Sequence, residues 1–235
     1  MKRETTTAAD IQHRANIQAM FELVAPRYDL MNDLMSMGTH RLWKRRFANM
    51  APKREATVAV DLAGGTGDIA ALLAKRGWQV TVCDPSPGMM QAGRPYQDAS
   101  IAWVAGVGEQ LPFATNSVDL LTVSFGLRNM TQPQQALDEV LRILKPGGTF
   151  LCLEFSTAQG WLRPFYDWYS EHVIPRLGAM VAGRREAYRY LVDSIREFPS
   201  QETLKAQMEE VGFQAVTYHN LSFGIAAIHS GTKAC

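Results

Sequence analysis

The spacing of hydrophobic positions changes partway along the chain. From Asp10 to about Met50 these positions recur at helical intervals, without the alternation that is typical of a strand. From Thr57 onward, short β-branched runs alternate with helical stripes. The pattern therefore predicts a helical N-terminal cap over residues 1–50 and a main α/β domain over residues 51–235.

Seven short apolar runs in the second part of the chain predict strands. The candidates are Thr57–Leu62, Gln79–Asp84, Ile101–Ala105, Val118–Phe125, Thr149–Phe155, Gln214–Asn220 and Ile225–Thr232. The first five belong to repeated βα units, which form a mostly parallel sheet with helices on both faces. The last two are joined by Ser222-Phe223-Gly224 and predict a hairpin. The expected fold is a Rossmann-like α/β fold with a seven-stranded, mostly parallel sheet and an antiparallel terminal hairpin.

Two helices in this region carry clear start and stop signals. The helix from Pro133 to Leu144 is stopped by Lys145-Pro146-Gly147-Gly148. A later helix is capped by Ser200 and ends at Gly212. Both helices are expected to pack one apolar face on the sheet.

An amphipathic helix is predicted near the end of the cap, over residues 40–47. One face carries Trp43, Phe47 and Met50, and the other carries Arg41, Lys44 and Arg45. One interpretation packs the apolar face on the core and leaves the basic face in solvent. The other interpretation places the helix at a membrane surface.

An insertion over about residues 156–199 separates the fifth strand from the Ser200 helix, and it is unusually aromatic. Its rings belong to Trp161, Phe165, Tyr166, Trp168, Tyr169, Tyr188 and Tyr190. Either these rings form the small core of a helical lid, or some of them line an apolar substrate pocket.

Composition argues against several classes of function. The 24 Lys and Arg residues nearly balance the 23 Asp and Glu residues, so net charge gives no support for a nucleic-acid partner. No run reaches the roughly 18 apolar residues of a spanning helix, and no apolar segment follows Met1-Lys2-Arg3 to direct secretion. The three cysteines, Cys83, Cys152 and Cys235, lack metal-ligand spacing. We expect a cytoplasmic protein without a metal site.

The strongest local signal lies where the first strand meets the next helix. Gly64, Gly65 and Gly67 allow a ligand to approach the backbone closely. A dinucleotide-binding turn would have a third glycine where this chain has Ala70. Asp68 at the start of the helix would repel a pyrophosphate, whereas it suits a cationic ligand.

A second signal is Asp84, at the end of the second strand. It lies 17 residues after Gly67, where a carboxylate can accept hydrogen bonds from both hydroxyls of a ribose. The alternatives are a helix N-cap and a purely structural carboxylate. Because a nucleoside without a diphosphate is expected, the predicted cofactor is S-adenosyl-L-methionine, acting as methyl donor.

Several segments together carry a wider resemblance. They are Phe21–Ser36, Asp61–Asp68, Ser124–Asn129, and Leu144–Gly148 with Leu153–Ser156. Over nearly the whole chain, they resemble the ubiquinone/menaquinone biosynthesis C-methyltransferase family. The glycine segment alone would indicate only a class I methyltransferase, whereas Phe21–Ser36 and Ser124–Asn129 are more specific to the quinone enzymes.

The resemblance implies a class I methyltransferase fold and a reaction. A methyl group would pass from S-adenosyl-L-methionine to a ring carbon of a polyprenylated benzoquinol or naphthoquinol, in ubiquinone or menaquinone biosynthesis or both. The implied partners are this quinol, a transient membrane surface at the inner membrane face, other quinone-biosynthesis enzymes and a second copy of the chain. The alternatives are a methyltransferase acting on another lipophilic acceptor, such as a phospholipid amine, and a non-catalytic scaffold of a quinone-synthesis complex.

By position, the resemblance implies cofactor contacts from Thr66, Asp84, Val107, Gly108 and Ser124, beside the glycines of the turn. The family usually shows Asn-Ala where this chain has Val107-Gly108. Any hydrogen bond made by that asparagine side chain is therefore missing here, on the side of the site expected to hold the adenine.

The resemblance also places Tyr28, Arg128 and Asn129 near the acceptor ring. Attack by a ring carbon requires stabilisation of a phenolate, near-attack geometry and exclusion of water. Arg128 is an unsuitable base, because a guanidinium has a pKa above about 12 and no lone pair. It would stabilise the phenolate, or orient a water while Tyr28 or Asp29 relays the proton. The alternatives are a cap-to-core hydrogen bond for Tyr28 and Asp29, and a buried ion pair for Arg128.

Overall fold

The computed structural model describes residues 38–52, 57–158 and 185–235, with single positions at 33, 36, 160, 161, 164, 168 and 172. Most of the predicted cap and most of the aromatic insertion therefore lie outside the described residues. Tyr28 and Asp29 also lie outside them.

The described residues form six α-helices and seven strands. The helices are α1 (His40–Asn49), α2 (Asp68–Ala74), α3 (Pro87–Gly93), α4 (Pro133–Ile143), α5 (Arg185–Glu197) and α6 (Gln201–Val211). The strands are β1 (Val58–Leu62), β2 (Gln79–Asp84), β3 (Ala102–Ala105), β4 (Val118–Ser124), β5 (Leu144–Phe155), β6 (Gln214–Leu221) and β7 (Ala226–Thr232). None of these helices is long and apolar enough to cross a bilayer.

The seven strands form one sheet in the order β3-β2-β1-β4-β5-β7-β6. Strands β1 to β5 pair in parallel, whereas β7 pairs antiparallel with both β5 and β6. The hairpin is antiparallel because β6 and β7 are joined only by the turn at Ser222–Gly224, which is too short for a crossover. The predicted Rossmann-like sheet with its antiparallel hairpin is confirmed.

Strand β5 begins earlier than the predicted Thr149. Pairing with β4 starts at Val118 opposite Leu144 and resumes at Leu120 opposite Thr149, so β4 advances two residues while β5 advances five. Gly147, at a φ of +71°, lies within this irregular stretch. The segment after α4 therefore ends the helix, as predicted, and also forms a bulge at the start of the strand.

Local cap signals are present at both ends of α6. Ser200 Oγ accepts a hydrogen bond from the backbone N–H of Thr203, and Gly212 takes a left-handed φ of +115°. Helix α4 ends at Ile143, one residue before the predicted end.

Two groups of buried side chains pack on the two faces of the sheet. One includes Trp43, Phe47, Ile69, Leu73, Leu153 and Phe155. The other includes Leu121, Val123, Leu137, Val140, Phe150 and Met208. Because both faces are covered, the central strands consist of nearly continuous apolar residues.

One residue of α1 lies where the sequence did not predict it. Trp43 and Phe47 are buried, and Arg41 and Arg45 are exposed, as expected. Lys44, predicted on the solvated basic face, is buried instead. Its long aliphatic stem crosses apolar surface and carries the ammonium to a carboxylate on α2.

Candidate active site

The glycine turn leaves the carboxyl end of β1 and leads into α2. Gly67 precedes the helix at a φ of +82°, a conformation that a residue with a Cβ adopts only with strain. A Cβ on residue 64 would lie 2.7 Å from Asp61 Oδ2, which is too close. Glycine at these positions is therefore a steric requirement of the turn.

Thr66, the residue of this turn with a predicted cofactor contact, is held through its backbone. Gln97 Nε2 donates to the carbonyl oxygen of Thr66 over 3.1 Å. A Cβ on residue 93 would collide with that same carbonyl, so α3 packs directly against the turn. Sequence analysis assigned no role to Gln97 or Gly93, because only the packing of α3 shows their contacts.

Asp84 ends β2 and is fixed by two backbone donors. Its Oδ2 accepts from Gly65 N and its Oδ1 accepts from Ser86 N, each over 2.8 Å. Burial raises the pKa of Asp84, and the two N–H groups oppose that rise. The N-cap of α3 is Ser86, whose Oγ accepts from Met89 N, so Asp84 is not the helix cap. Each carboxylate oxygen retains lone-pair capacity for a further donor, such as a ribose hydroxyl.

The loop after β3 contacts the segment that follows Arg128 and Asn129. Val107 forms an isolated bridge with Gln110. A Cβ on residue 108 would lie 2.6 Å from Met130 Sδ, so the sulfur occupies the space that an alanine methyl would need. Glu109 Oε1 accepts from Thr131 N over 2.8 Å. The glycine at 108 is thus matched to Met130, which follows the Arg128-Asn129 pair.

Ser124 Oγ, at the end of β4, is buried and has no hydrogen-bond partner among the described residues. Asp61 lies on the neighbouring strand β1, and its Oδ1 accepts from Thr122 Oγ1 over 2.8 Å. Burial raises the pKa of Asp61 to about 7, and hydrogen bonds from Thr122 and from the backbone of Ala70 oppose that rise. Buried polar groups in folded proteins are normally paired. The Ser124 hydroxyl therefore fits a polar group of a ligand such as S-adenosyl-L-methionine.

Arg128 forms the buried ion pair that sequence analysis kept open as an alternative. Its Nη1 donates to Glu154 Oε2 over 2.7 Å and to Phe125 O over 2.8 Å. The two charged side chains are 2% and 1% exposed. The guanidinium carbon lies 5.5 Å from the ring centroid of Phe155.

The ion pair leaves part of the guanidinium unused. Arg128 Nε is buried without a hydrogen-bond partner among the described residues. Burial raises the pKa of Glu154, and the contact with Arg128 opposes that rise. The pair is close to neutral as a unit, so Arg128 acts as an oriented donor more than as a net charge.

Asn129 is held between the strand end and α5. Its Nδ2 donates to Phe125 O over 3.2 Å, and its Oδ1 accepts from Tyr190 OH over 3.2 Å. Burial raises the pKa of the Tyr190 phenol, which keeps it protonated as a donor. Tyr190 was expected only as one ring of the aromatic insertion, in a lid core or lining a pocket, and no role was expected for Glu154. Glu154 is a single carboxylate within an apolar strand, and this feature of the sequence could have marked it as a site residue.

Parallel pairing brings these residues to one edge of the sheet. The strands β2, β1 and β4 end together, with Leu62 opposite both Cys83 and Val123, and Ser124 opposite Leu153. The strand order reverses between β1 and β4, and ligands of open α/β sheets bind at such a switch point. The glycine turn and Asp84 lie on one side of it, and Arg128 lies on the other. Tyr28, the third predicted catalytic residue, lies outside the described residues.

Solved structures similar to this chain include methyltransferases. One is an S-adenosyl-L-methionine-dependent methyltransferase from Thermotoga maritima, with a TM-score of 0.68 and 19% identity over 92% of this chain and 99% of the other. Another is phosphoethanolamine N-methyltransferase 2 of Haemonchus contortus, with a TM-score of 0.63 and 14% identity over 83% of this chain and 53% of the other. At these identities the likeness supports the class I methyltransferase fold and nothing finer.

Sequence relatives are much closer. A protein of Rubrivivax gelatinosus, called ubiquinone/menaquinone biosynthesis C-methyltransferase UbiE, is 56% identical over 95% of this chain and 89% of its own length. A Cereibacter sphaeroides protein of the same name is 47% identical over 92% of this chain and 90% of its own length. The model of the ubiE/COQ5 methyltransferase family matches residues 8–233. A family match over almost the whole chain and relatives of this identity show that the chain belongs to the ubiE/COQ5 methyltransferase family.

Proposed function

We propose that this protein transfers a methyl group from S-adenosyl-L-methionine to a ring carbon of a polyprenylated benzoquinol or naphthoquinol. Such a reaction belongs to ubiquinone or menaquinone biosynthesis, as the names of the relatives indicate for those proteins. The observation that carries the proposal is that two chemically different groups of residues lie on the two sides of the switch point. A fixed carboxylate and a glycine turn lie on one side of the switch point, and a buried arginine with a free donor lies on the other.

On the cofactor side, Asp84 would accept hydrogen bonds from the two ribose hydroxyls. Thr66 and the glycines of the turn would contact the ligand through their backbone, and the unpartnered Ser124 Oγ would bond it near the switch point. Val107 and Gly108 would border the adenine. The cofactor supplies an electrophilic methyl group on a sulfonium, and the protein has to hold that methyl in line with the attacking carbon.

On the acceptor side, Arg128 would donate from Nε to the developing phenolate oxygen. Glu154 and the carbonyl of Phe125 fix the guanidinium plane before substrate arrives, which is the preorganisation that electrostatic catalysis requires. Asn129, held by Tyr190, would orient the acceptor beside it. We assign the proton acceptor to Tyr28 or Asp29, as the family resemblance suggests.

The acceptor carries a polyprenyl tail, so it resides in a bilayer. We therefore place the protein transiently at a membrane surface, at the cytoplasmic face, where other quinone-biosynthesis enzymes would meet the same pool of substrate. No observation among the described residues favours a phospholipid amine acceptor or a non-catalytic scaffold.

The test is methyl transfer by the purified protein to demethylated benzoquinols and naphthoquinols, followed by mass spectrometry of the quinone. We expect one methyl group to be added to a ring carbon. Asp84→Ala should weaken cofactor binding about 30-fold to 1,000-fold and reduce transfer with it, because two charge-assisted hydrogen bonds are together worth about 2–4 kcal/mol. The matched control is Asp98→Ala, which removes a carboxylate from an exposed loop. Binding of the cofactor without transfer to either ring class would refute the proposed acceptor.

A further inference from the structure

Phe223 occupies an unfavourable conformation and keeps most of its ring in solvent. It lies in the turn between β6 and β7 with φ +59° and ψ +34°, and Ser222 before it has a φ of +44°. Bulky residues avoid this left-handed region. The ring is 59% exposed, so burial inside the protein does not offset the strain. Strain of this kind is typical of functional segments.

A second exposed hydrophobic side chain packs on Phe223, and a third lies on α1, the helix that contacts this turn. Trp161 is 69% exposed and packs edge-on against Phe223, with ring centroids 5.3 Å apart. Leu42 is 63% exposed on α1. Helix α1 is tied to the turn because Trp43 Nε1 donates to Ser222 Oγ over 3.0 Å. We call Leu42, Trp161 and Phe223 the apolar tip.

Positive charge flanks the apolar tip. Arg45 and Arg46 follow Leu42 by three and four residues, so they share its exposed helical face. Neither arginine forms an ion pair with any residue that the structure describes. Exposed large apolar side chains beside unpaired arginines match the chemistry of an anionic lipid surface, which offers acyl chains and phosphate groups side by side.

The apolar tip lies at the same edge of the sheet as the candidate active site. Leu221, the last residue of β6, and Phe155, the last of β5, both pair with Ala226. The ring of Trp43 lies 6.1 Å from that of Phe155, whose ring in turn lies 5.5 Å from the Arg128 guanidinium carbon. Two packed rings, Trp43 and Phe155, therefore connect the Ser222 hydroxyl of the turn with Arg128.

We propose that Leu42, Trp161 and Phe223 insert into the surface of an anionic bilayer while Arg45 and Arg46 bind its phosphate groups. Docking in this orientation turns the acceptor edge of the sheet toward the membrane. A quinol ring can then reach Arg128 while its tail stays among the acyl chains. The inference rests on the proposed function, because it names the surface through which a membrane-resident acceptor is delivered to that site.

The first experiment measures sedimentation of the full chain with vesicles containing phosphatidylglycerol. Trp161→Ser with Phe223→Ser should weaken binding about tenfold or more, since apolar burial drives interfacial insertion. The matched control is Tyr96→Ser, which removes an aromatic side chain that is 86% exposed elsewhere. Equal binding by wild type and the double variant, or an equal loss in the control, would overturn the proposal.

A second pair of variants tests the charges. Arg45→Gln with Arg46→Gln should weaken binding to phosphatidylglycerol vesicles several-fold, and the loss should shrink at high salt. Lys75→Gln with Lys145→Gln removes the same charge elsewhere and should bind as wild type does. If the arginine double variant and the lysine double variant bind vesicles equally well, Arg45 and Arg46 do not contact the lipid phosphates.

Activity separates this inference from the proposed function. The apolar-tip variant should methylate a tail-free quinol at the wild-type rate and lose transfer to a long-tailed quinol held in vesicles. Failure of the wild type with both acceptors would refute the proposed function. A variant impaired equally with both acceptors would refute the apolar tip as a delivery surface.

Two further measurements distinguish membrane insertion from misfolding of the variants and from binding to another protein. In the wild type, acyl chains brominated near the headgroup should quench tryptophan fluorescence, and Trp161→Phe should reduce that quenching. This measurement uses the wild type, so no substitution can destabilise the protein. Absence of quenching would therefore refute insertion. Light scattering should give the same molecular mass for wild type and the double variant. A change in mass with unaltered vesicle binding would make the apolar tip a protein interface instead.

Discussion

Lys44 Nζ donates to Asp68 Oδ2 over 2.8 Å and thereby joins α1 to the first residue of α2. The lysine side chain is 10% exposed and the aspartate side chain 37% exposed. Because α2 begins where the glycine turn ends, this ion pair fixes one end of the proposed cofactor turn. One interpretation of the sequence left Lys44 in solvent, whereas its ammonium lies at the start of α2. We expect Lys44 to act as a positioning residue for the proposed site.

We expect Lys44→Met to weaken cofactor binding about fivefold with little loss of thermal stability. Methionine keeps the packing of the aliphatic stem, and a partly exposed ion pair is worth up to about 1 kcal/mol. Titration calorimetry with S-adenosyl-L-methionine measures the effect. Lys145→Met is the control, since Lys145 pairs with Asp119 over the same 2.8 Å but lies at the start of β5. Unchanged affinity in the Lys44 variant would remove the pair from cofactor binding.

Asp61 should make the free energy of unfolding fall as pH rises from about 4 to about 7. Burial raises its pKa in the folded protein from 3.8 to about 7, so in this window the unfolded chain releases a proton that the folded protein keeps. Asp61→Asn cannot titrate and should lack this contribution, which amounts to about 4 kcal/mol across the window. Urea unfolding at pH 4 and pH 8 measures the difference.

In the same experiment, Asp98→Asn changes an exposed carboxylate and serves as the control. The wild type and Asp61→Asn should differ in their pH dependence, whereas the wild type and the control should differ little. Saturating S-adenosyl-L-methionine should reduce the wild-type dependence, because a cationic group near Asp61 favours its ionised form. Parallel pH profiles for all three proteins would contradict the burial of an ionisable Asp61.

Arg128→Lys should lower turnover about 100-fold or more while cofactor affinity changes little. Lysine keeps the charge but lacks the planar guanidinium. In Arg128, Nη1 donates to both Glu154 and Phe125 O, and Nε remains available for the substrate. The melting temperature should also fall, because the ion pair is buried. Arg142→Lys is the control, since it alters an arginine paired with Glu139 at a partly exposed site. Near-normal turnover would exclude Arg128 from catalysis.

Glu154→Gln tests the same pair from its other side. It leaves a buried guanidinium without its counter-charge, a change that costs about 3–5 kcal/mol in comparable sites. We expect this variant to be much less stable than wild type in urea. If Glu154→Gln lowers the free energy of unfolding no more than a surface substitution does, the ion pair between Glu154 and Arg128 does not stabilise the fold.

Gly108→Ala should destabilise the protein by about 1–3 kcal/mol, because the added methyl overpacks a filled space. The methyl would lie 2.6 Å from Met130 Sδ. Adding Met130→Ala should relieve the overlap, so the double variant should be no less stable than Met130→Ala alone. Gly160→Ala is the control, since nothing lies within 4 Å of a Cβ there. Strict additivity of the two changes would contradict the match between Gly108 and Met130.

The sequence by itself determined the elements whose signals are local. Strand β2 has its predicted bounds, Gln79 to Asp84, because an apolar run is flanked by residues that end strands. Helix α6 begins after Ser200 and ends before Gly212, because a hydroxyl cap and a left-handed glycine act within one turn. The glycine turn and strand-end Asp84 were recognisable for the same reason, and the family resemblance supplied the acceptor-side residues.

Only the tertiary structure decided which distant side chains meet. Lys44 and Asp68 are 24 positions apart, and Arg128 and Glu154 are 26 apart. Their contacts depend on the packing of α1 and on the register of β5 beside β4, which no local pattern encodes. A solvated lysine and a buried one have the same helical spacing, so the sequence left Lys44 in solvent. Burial of Lys44 beside Asp68 requires α1 and α2 to be packed together, so it is a property of the assembled fold.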